Sequence, residues 1–204
     1  IVEKQKHLMA PMDDVMSVEL ENELRRKGIK VYCDATVTEI MEEEGSLSCV
    51  ITPNDGSEPV KTRAGQILMA IGRRPDVSRL LGKDISLDMK DGKIAVNSDF
   101  ETSEPSVYAI GDVAARTQLA HVAAAQGTYV VEKIAGRPHS IKLEVVPNGM
   151  FVSLPIVPNC IYTDPEIATV GITEEIAKTC GLKVRCGHFS MRDNGKSIIT
   201  GEEH

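Results

Sequence analysis

The sequence predicts an α/β fold, a parallel sheet joined to a β-meander with an α+β segment at its end, and three observations carry that expectation. Two short apolar runs, 67–71 and 107–110, lack polar alternation and each stops at a glycine, Gly72 and Gly111. That is how strands buried on both faces of a parallel sheet read. Helical periodicity flanks them, with Met16, Leu20 and Leu24 recurring every four residues in one segment and a small-residue face in another. Between the helices lies a stretch of alternating and β-branched residues, broken by Asn54-Asp55-Gly56.

In order along the chain, Ile1 to Glu3 reads as the end of a strand, and Pro11 and Asp13 open an amphipathic helix that Gly28 closes. Residues 29–41 are rich in β-branched side chains, and Leu47, Cys49 and Ile51 alternate with Ser48 and Val50, which predicts an antiparallel meander. Run 67–71 follows as a buried strand. A turn-rich stretch with a hairpin at Asp91-Gly92 then leads to the second buried strand, 107–110. A helix over 119–135 presents Ala123, Gly127, Val130 and Ile134 on one face, with Gly136 as its stop. Beyond Pro147, Pro155 and Pro158 the spacing predicts a strand at 160–163, a second strand, a helix capped by Thr173 and a strand over 182–191. The ends read as the interior of a longer protein, because Ile1 opens without an initiator Met and residues 200–204 follow a strand with no closing element.

Composition narrows the function classes. The 204 residues carry 23 basic and 30 acidic side chains, a net charge of −7 that repels phosphate backbones and anionic lipid. With three Phe, four Tyr and no Trp there are few platforms for stacking bases, so nucleic acid is not expected as a partner. Run 67–71 falls far short of the roughly 20 apolar residues that span a bilayer. No membrane segment is expected. Five scattered cysteines point to a reducing cytoplasm and to buried or incidental thiols. His7, His121, His139, His188 and His204 lack ligand spacing, so no metal is expected.

Chemistry should gather where the apolar strands end, since nucleotides bind at the carboxyl edge of parallel sheets. Glu3 closes a strand, the place where a dinucleotide-binding fold keeps the acid that accepts hydrogen bonds from the adenosine ribose. Gly72 and Gly111 are places where a ligand can approach backbone.

The segment Tyr108-Ala109-Ile110-Gly111-Asp112-Val113, with the earlier Ala70-Ile71-Gly72-Arg73-Arg74-Pro75, resembles the class I pyridine nucleotide-disulfide oxidoreductases. These FAD enzymes include lipoamide dehydrogenase, glutathione reductase and mercuric reductase. Leu119-Ala120-His121 is most similar to the lipoamide dehydrogenase form, and Tyr162-Thr163-Asp164-Pro165-Glu166 through Val170-Gly171 resembles the entry to the dimerisation domain.

The resemblance covers the whole chain. It implies partial Rossmann-like NAD- and FAD-binding domains, with residues 1–75 the later part of the NAD domain, 76–154 the second segment of the FAD domain and 155–204 the start of an interface domain. It implies that Glu3 binds the NAD ribose, Val37 lines the adenine pocket and Gly72 lets the cofactor pass, with NADH preferred over NADPH because Glu3 would repel a 2′-phosphate. Asp112 would accept a hydrogen bond from the flavin ribityl chain, and Gln118, Leu119, Ala120 and His121 would meet FAD through backbone at a helix start. The implied reaction is dihydrolipoamide + NAD⁺ to lipoamide + NADH, by a homodimer serving lipoyl-bearing acyltransferase or glycine-cleavage components. Another disulfide or mercuric reductase, or a non-catalytic nucleotide-binding or assembly module, is the rival reading. The family's first FAD-binding turn, CxxxxC pair and His-Glu pair have no counterpart among these residues, so no catalytic residue is assigned here.

Overall fold

The structure is a computed structural model and describes residues 1–43, 45–78, 80–82, 85–115, 117–141, 144–145, 152–153 and 157–201. In chain order its elements are α1 (Asp14–Arg26), β1 (Ala35–Glu43), β2 (Ser46–Pro53), β3 (Val60–Ala64), β4 (Met89–Lys90), β5 (Lys93–Ile94), α2 (Ala120–Ile134), β6 (Glu144–Val145), β7 (Val152–Ser153), β8 (Pro158–Ile161), β9 (Ile167–Val170), α3 (Glu174–Thr179) and α4 (Gly195–Thr200). They form two compact units, Ile1–Met69 with Pro158–His204, and Ala70–Val157.

In the first unit α1 begins with Asp14 in its first turn and ends with Arg25 and Arg26 in its last, the charge order its dipole favours. Gly28 then turns the chain at a φ of 82°. The buried face differs from the one the four-residue period predicts. Met16 is 38% exposed, whereas Ser17, Leu20, Glu21 and Glu23 are buried. Only Met16 departs: Met9 and Met12 from the preceding loop and Ile167 from β9 pack with Leu20 and Leu24 as the period predicts, while Ser17, beside Met16, donates to Met9 O and takes the buried place.

The meander forms as expected. β1, β2 and β3 are antiparallel neighbours, with Val37 opposite Ile51 and a register shift between Val37 and Glu39. Ala35, Cys49 and Ile51 are its core, extended by Val2, Tyr32 and Ile67. Among the described residues the one parallel pairing is a bridge between Val2 and Tyr32, closed by the Tyr32 N–H on Ile1 O at 2.9 Å and the Glu3 N–H on Tyr32 O at 2.8 Å.

Run 67–71 departs from expectation. It forms no strand, and Leu68 is 89% and Ile71 87% exposed. An apolar run needs a neighbour on each side to become a buried strand, and no described strand lies beside this one. Later in the same unit β8 and β9 pair antiparallel, Thr173 Oγ1 accepts the Ile176 N–H at 3.2 Å to cap α3, and Asn194 Oδ1 accepts from Lys196 and Ser197 to cap α4. Residues 182–190, expected as a strand, are irregular, for the same lack of a ladder partner among the described residues.

In the second unit β4 and β5 make the hairpin expected at Asp91-Gly92, whose φ values of 52° and 76° match a two-residue turn with both centres left-handed. Residues 107–110 are again not a strand. Tyr108 makes an isolated antiparallel bridge with Glu101, and Val107 is exposed. The small face of α2 does bring the helix close: a Cβ on Gly127 would lie 3.2 Å from Ile110 Cδ1, and one on Gly111 would lie 3.0 Å from Ala123 Cβ. Ile134, expected on that face, is exposed at the far end. There the Lys133 Nζ donates to Asp99 Oδ2 at 2.6 Å and the Tyr129 hydroxyl to Asp99 Oδ1 at 3.1 Å, tying the helix down.

Candidate functional site

Glu3 stands directly after the parallel bridge, and its backbone is held on both sides. Its N–H donates to Tyr32 O, and its carbonyl accepts the Ala35 N–H at 3.1 Å. The residue is half-buried, and its carboxylate accepts the Gln5 N–H at 2.8 Å in an exposed local turn after the bridge. The Gln5 carbonyl in turn accepts the Asp34 N–H at 2.8 Å. Asp34 occupies the left-handed region at φ 48°, where Asp is tolerated, and its Oδ1 accepts from Asn54 Nδ2. Val37, two residues after Ala35, is 38% exposed on β1. The structure thus brings the surroundings of Glu3 and Val37 together in the first unit.

A residue missed at the sequence level governs this loop. Glu21, only 5% exposed, gathers three donors on Oε1: the His7 ring Nδ1 at 3.2 Å, the Leu8 N–H at 3.2 Å and the Cys33 thiol at 3.4 Å. Arg25 lies 3.7 Å from its other oxygen. No spacing announced it, because its donors come from a loop and from the segment before β1.

The remaining expected residues lie in the second unit. Gly72 has φ 110° and nothing within 4 Å of the place a Cβ would occupy, so its backbone is open to approach. Gly111 starts a short 3-10 turn, Gly111–Val113, at φ 66°, and its buried N–H donates to Gln126 Oε1 at 2.8 Å. Asp112 sits half-buried on that turn. Helix α2 begins without a side-chain cap: Leu119 is the N-cap, Gln118 and Leu119 are half-buried, and Ala120 and His121 are exposed. First-turn N–H groups have no intrahelical acceptor, so this end can receive negative charge.

Five cysteines were expected to be buried or incidental. Cys49 is buried in the meander core, Cys33 is half-buried, and Cys160, Cys180 and Cys186 are exposed. Burial first, then the hydrogen bond to Glu21, pushes the Cys33 thiol up to about 11. Iodoacetamide at pH 8 is therefore expected to label Cys160 and Cys180 well before Cys33, because the thiolate is the reactive form. Peptide mass spectrometry over a time course checks this, and early labelling of Cys33 would mean that its bond to Glu21 does not persist in solution. Among the described residues no group of three or more His, Cys, Asp or Glu is placed to hold a metal ion, and no helix is long and apolar enough to cross a membrane. A cavity of about 370 Å³ in the first unit, bounded by Asp13, Met16, Thr173, Glu175, Cys186 and His188 among others, contains none of the residues expected at a site.

The pyridine nucleotide-disulphide oxidoreductase profile matches residues 1–127, and the profile of that family's dimerisation domain matches residues 157–204. Over 203 residues the chain is 33% identical to a dihydrolipoyl dehydrogenase of Bacillus subtilis and 32% identical to that of Rhizobium etli, covering 99% and 100% of this chain. It spans 40% of the length of each of these relatives. Among solved structures, the HOCl-induced flavoprotein disulfide reductase RclA of Escherichia coli matches with a TM-score of 0.80 at 18% identity, over 100% of this chain and 43% of its own. LpdA of Mycobacterium tuberculosis matches with a TM-score of 0.77 at 23% identity, over 99% of this chain and 41% of its own. These two likenesses concern the fold.

Proposed function

The chain belongs to the pyridine nucleotide-disulphide oxidoreductase family, and from that premise we propose that it serves a flavin-dependent dehydrogenase that oxidises dihydrolipoamide and reduces NAD⁺. The observation that carries the dinucleotide half is Glu3, which follows an isolated parallel bridge at Val2, in place of the strand the sequence predicts, and whose carboxylate accepts the Gln5 N–H. The choice of dihydrolipoamide rests on the likeness to dihydrolipoyl dehydrogenases along nearly the whole chain.

Glu3 accepts hydrogen bonds from the adenosine ribose and Val37 gives the adenine an apolar wall, and in the second unit Gly72 has a backbone open to a cofactor. Asp112 accepts from a ribityl hydroxyl. Gln118, Leu119, Ala120 and His121 present the uncapped first turn of α2 to the flavin pyrimidine edge, where its N–H groups and dipole favour the charge that gathers on reduction. The open face of Gly72 and the exposed start of α2 are what fit these residues to FAD and NAD. FAD, when bound, supplies the two-electron relay between the dithiol and the nicotinamide. The reactive cysteine pair of this reading lies outside residues 1–204, since the cysteines here lack CxxxxC spacing. The assignment of 1–75, 76–154 and 155–204 to NAD, FAD and interface domains belongs to the same proposal, as do a homodimer, a cytoplasmic setting and lipoyl-bearing acyltransferase or glycine-cleavage partners.

The test uses the polypeptide that contains residues 1–204. NADH formation is expected with dihydrolipoamide, and a preference for glutathione disulfide or Hg(II) as acceptor, or no turnover at all, would transfer the assignment to a rival reading. Asp112→Ala is expected to lower flavin absorbance per subunit after dialysis while the far-UV circular dichroism stays unchanged, because Asp112 lies on a turn outside the core. Full flavin retention would remove Asp112 from the site.

A further inference from the structure

We propose that Glu21 is a positioning residue for dinucleotide recognition, setting the loop 4–9 and through it the carboxylate of Glu3. The proposal rests on the assignment of Glu3 to the NAD ribose. That loop connects the strand end to α1 and has little regular structure of its own. What fixes it is a set of side-chain and backbone bonds, and Glu21 is where they converge. One buried carboxylate oxygen accepts from the loop at His7 and Leu8, and from the segment carrying the parallel bridge at Cys33. The loop is thereby stapled to the residue that follows Tyr32, the backbone partner of Glu3.

The loop has other anchors on either side of the staple, the nearest to Glu3 being the Gln5 carbonyl, which accepts the Asp34 N–H at 2.8 Å. Ser17 Oγ donates to Met9 O at 3.2 Å, at the end of the loop, and Lys6 meets Asp14 at 3.5 Å on an exposed surface. A surface ion pair of that kind contributes little. Glu21 differs because its carboxylate is buried and charge-assisted, so its bonds are short of competition from water. The Gln5 N–H that orients the Glu3 carboxylate lies two residues before His7, within the stapled stretch. Without the staple Gln5 keeps its link to Asp34 and Met9 its place in the core, but His7 and Leu8 between them lose their bonds to Glu21, and the looser stretch lets the Glu3 carboxylate sample orientations that do not meet the ribose.

Steady-state kinetics with NADH and NADPH on the polypeptide that contains these residues test the proposal. Glu21→Ala is expected to raise KM for NADH about tenfold while kcat changes less than about twofold, the signature of lost preorganisation in binding, since misplacement of about 1 Å has effects of this order or larger. The preference for NADH over NADPH should fall with it. His7→Ala, which removes the loop's side-chain grip and leaves the helix intact, should raise KM in the same direction by about threefold, the worth of one modest hydrogen bond. It decides the matter if Glu21→Ala does not fold. In a Glu3→Gln background neither substitution should raise KM further, because the group they position is gone. If Glu3→Gln alters the NADH preference while Glu21→Ala and His7→Ala leave KM at its wild-type value, Glu21 is not a positioning residue and the Glu3 reading stands. If Glu3→Gln leaves the preference unaltered, the Glu3 reading falls, and the positioning role with it.

Discussion

Glu3→Arg is expected to move the coenzyme preference toward NADPH, lowering kcat/KM for NADH by about 5- to 150-fold, which corresponds to the roughly 1–3 kcal/mol lost when a polar partner at a binding site is left unpaired. Two features of the structure make the change in preference larger than the loss alone. On the proposed assignment Glu3 is a carboxylate whose backbone is fixed beside an isolated parallel bridge, so it would repel a 2′-phosphate from a defined place. The residues beside it, Lys4 and Lys6, are exposed cations on the same loop, and an arginine among them makes a surface that suits a phosphate. The measurement is kcat/KM for both coenzymes, with thermal denaturation as a control. A ratio that does not move, in a protein of unchanged Tm, would show that Glu3 faces something other than the ribose.

Much of the local structure was legible in the sequence because its signals are local. Asn54-Asp55-Gly56 and Asp91-Gly92 fix turns by their own backbone preferences, and the period of Leu20 and Leu24 marks a helix whatever covers it. Glu3 was readable for a similar reason, since an acid after an apolar strand end is a matter of order along the chain. What was not legible depended on partners distant in sequence. Runs 67–71 and 107–110 have the composition of buried strands, but pairing needs neighbours, and among the described residues run 67–71 has no strand beside it while run 107–110 has only the bridge of Tyr108 to Glu101. Leu68 and Ile71 are exposed for that reason.

Glu21 shows the opposite error. A glutamate on a surface helix is read as solvated, because carboxylates are rarely buried alone. Here it is buried because Arg25 of α1 and three donors converge on it, and the three donors come from a loop and from the segment before β1, which no periodicity connects to α1. Gln126 escaped notice in the same way. On α2 the small residues announced close packing, and the polar side chain beside them carried the bond that the packing requires.

That bond gives the second large expected effect. Gln126 is 1% exposed, and its Oε1 accepts the buried N–H of Gly111 at 2.8 Å. Gly111 cannot shift to find another acceptor, because its φ of 66° is set by the turn and its Cα faces Ala123, which would lie 3.0 Å from an added Cβ. Gln126→Leu keeps the volume but removes the acceptor, so a buried N–H is left unpaired at a cost of about 1–3 kcal/mol. In a protein of this size that corresponds to a Tm lower by roughly 2–12 °C. The damage is directional as well. Gly111 immediately precedes Asp112, and its carbonyl accepts from Ala114 and Ala115 at 3.0 and 2.7 Å, so a loosened Gly111 amide releases the turn that presents Asp112. Flavin dissociation should therefore quicken at temperatures well below the new Tm. Differential scanning calorimetry and the rate of flavin fluorescence recovery on dilution measure the two effects separately. An unchanged Tm would mean that water or another group satisfies Gly111. A lowered Tm with wild-type flavin release would mean that the turn does not hold the cofactor.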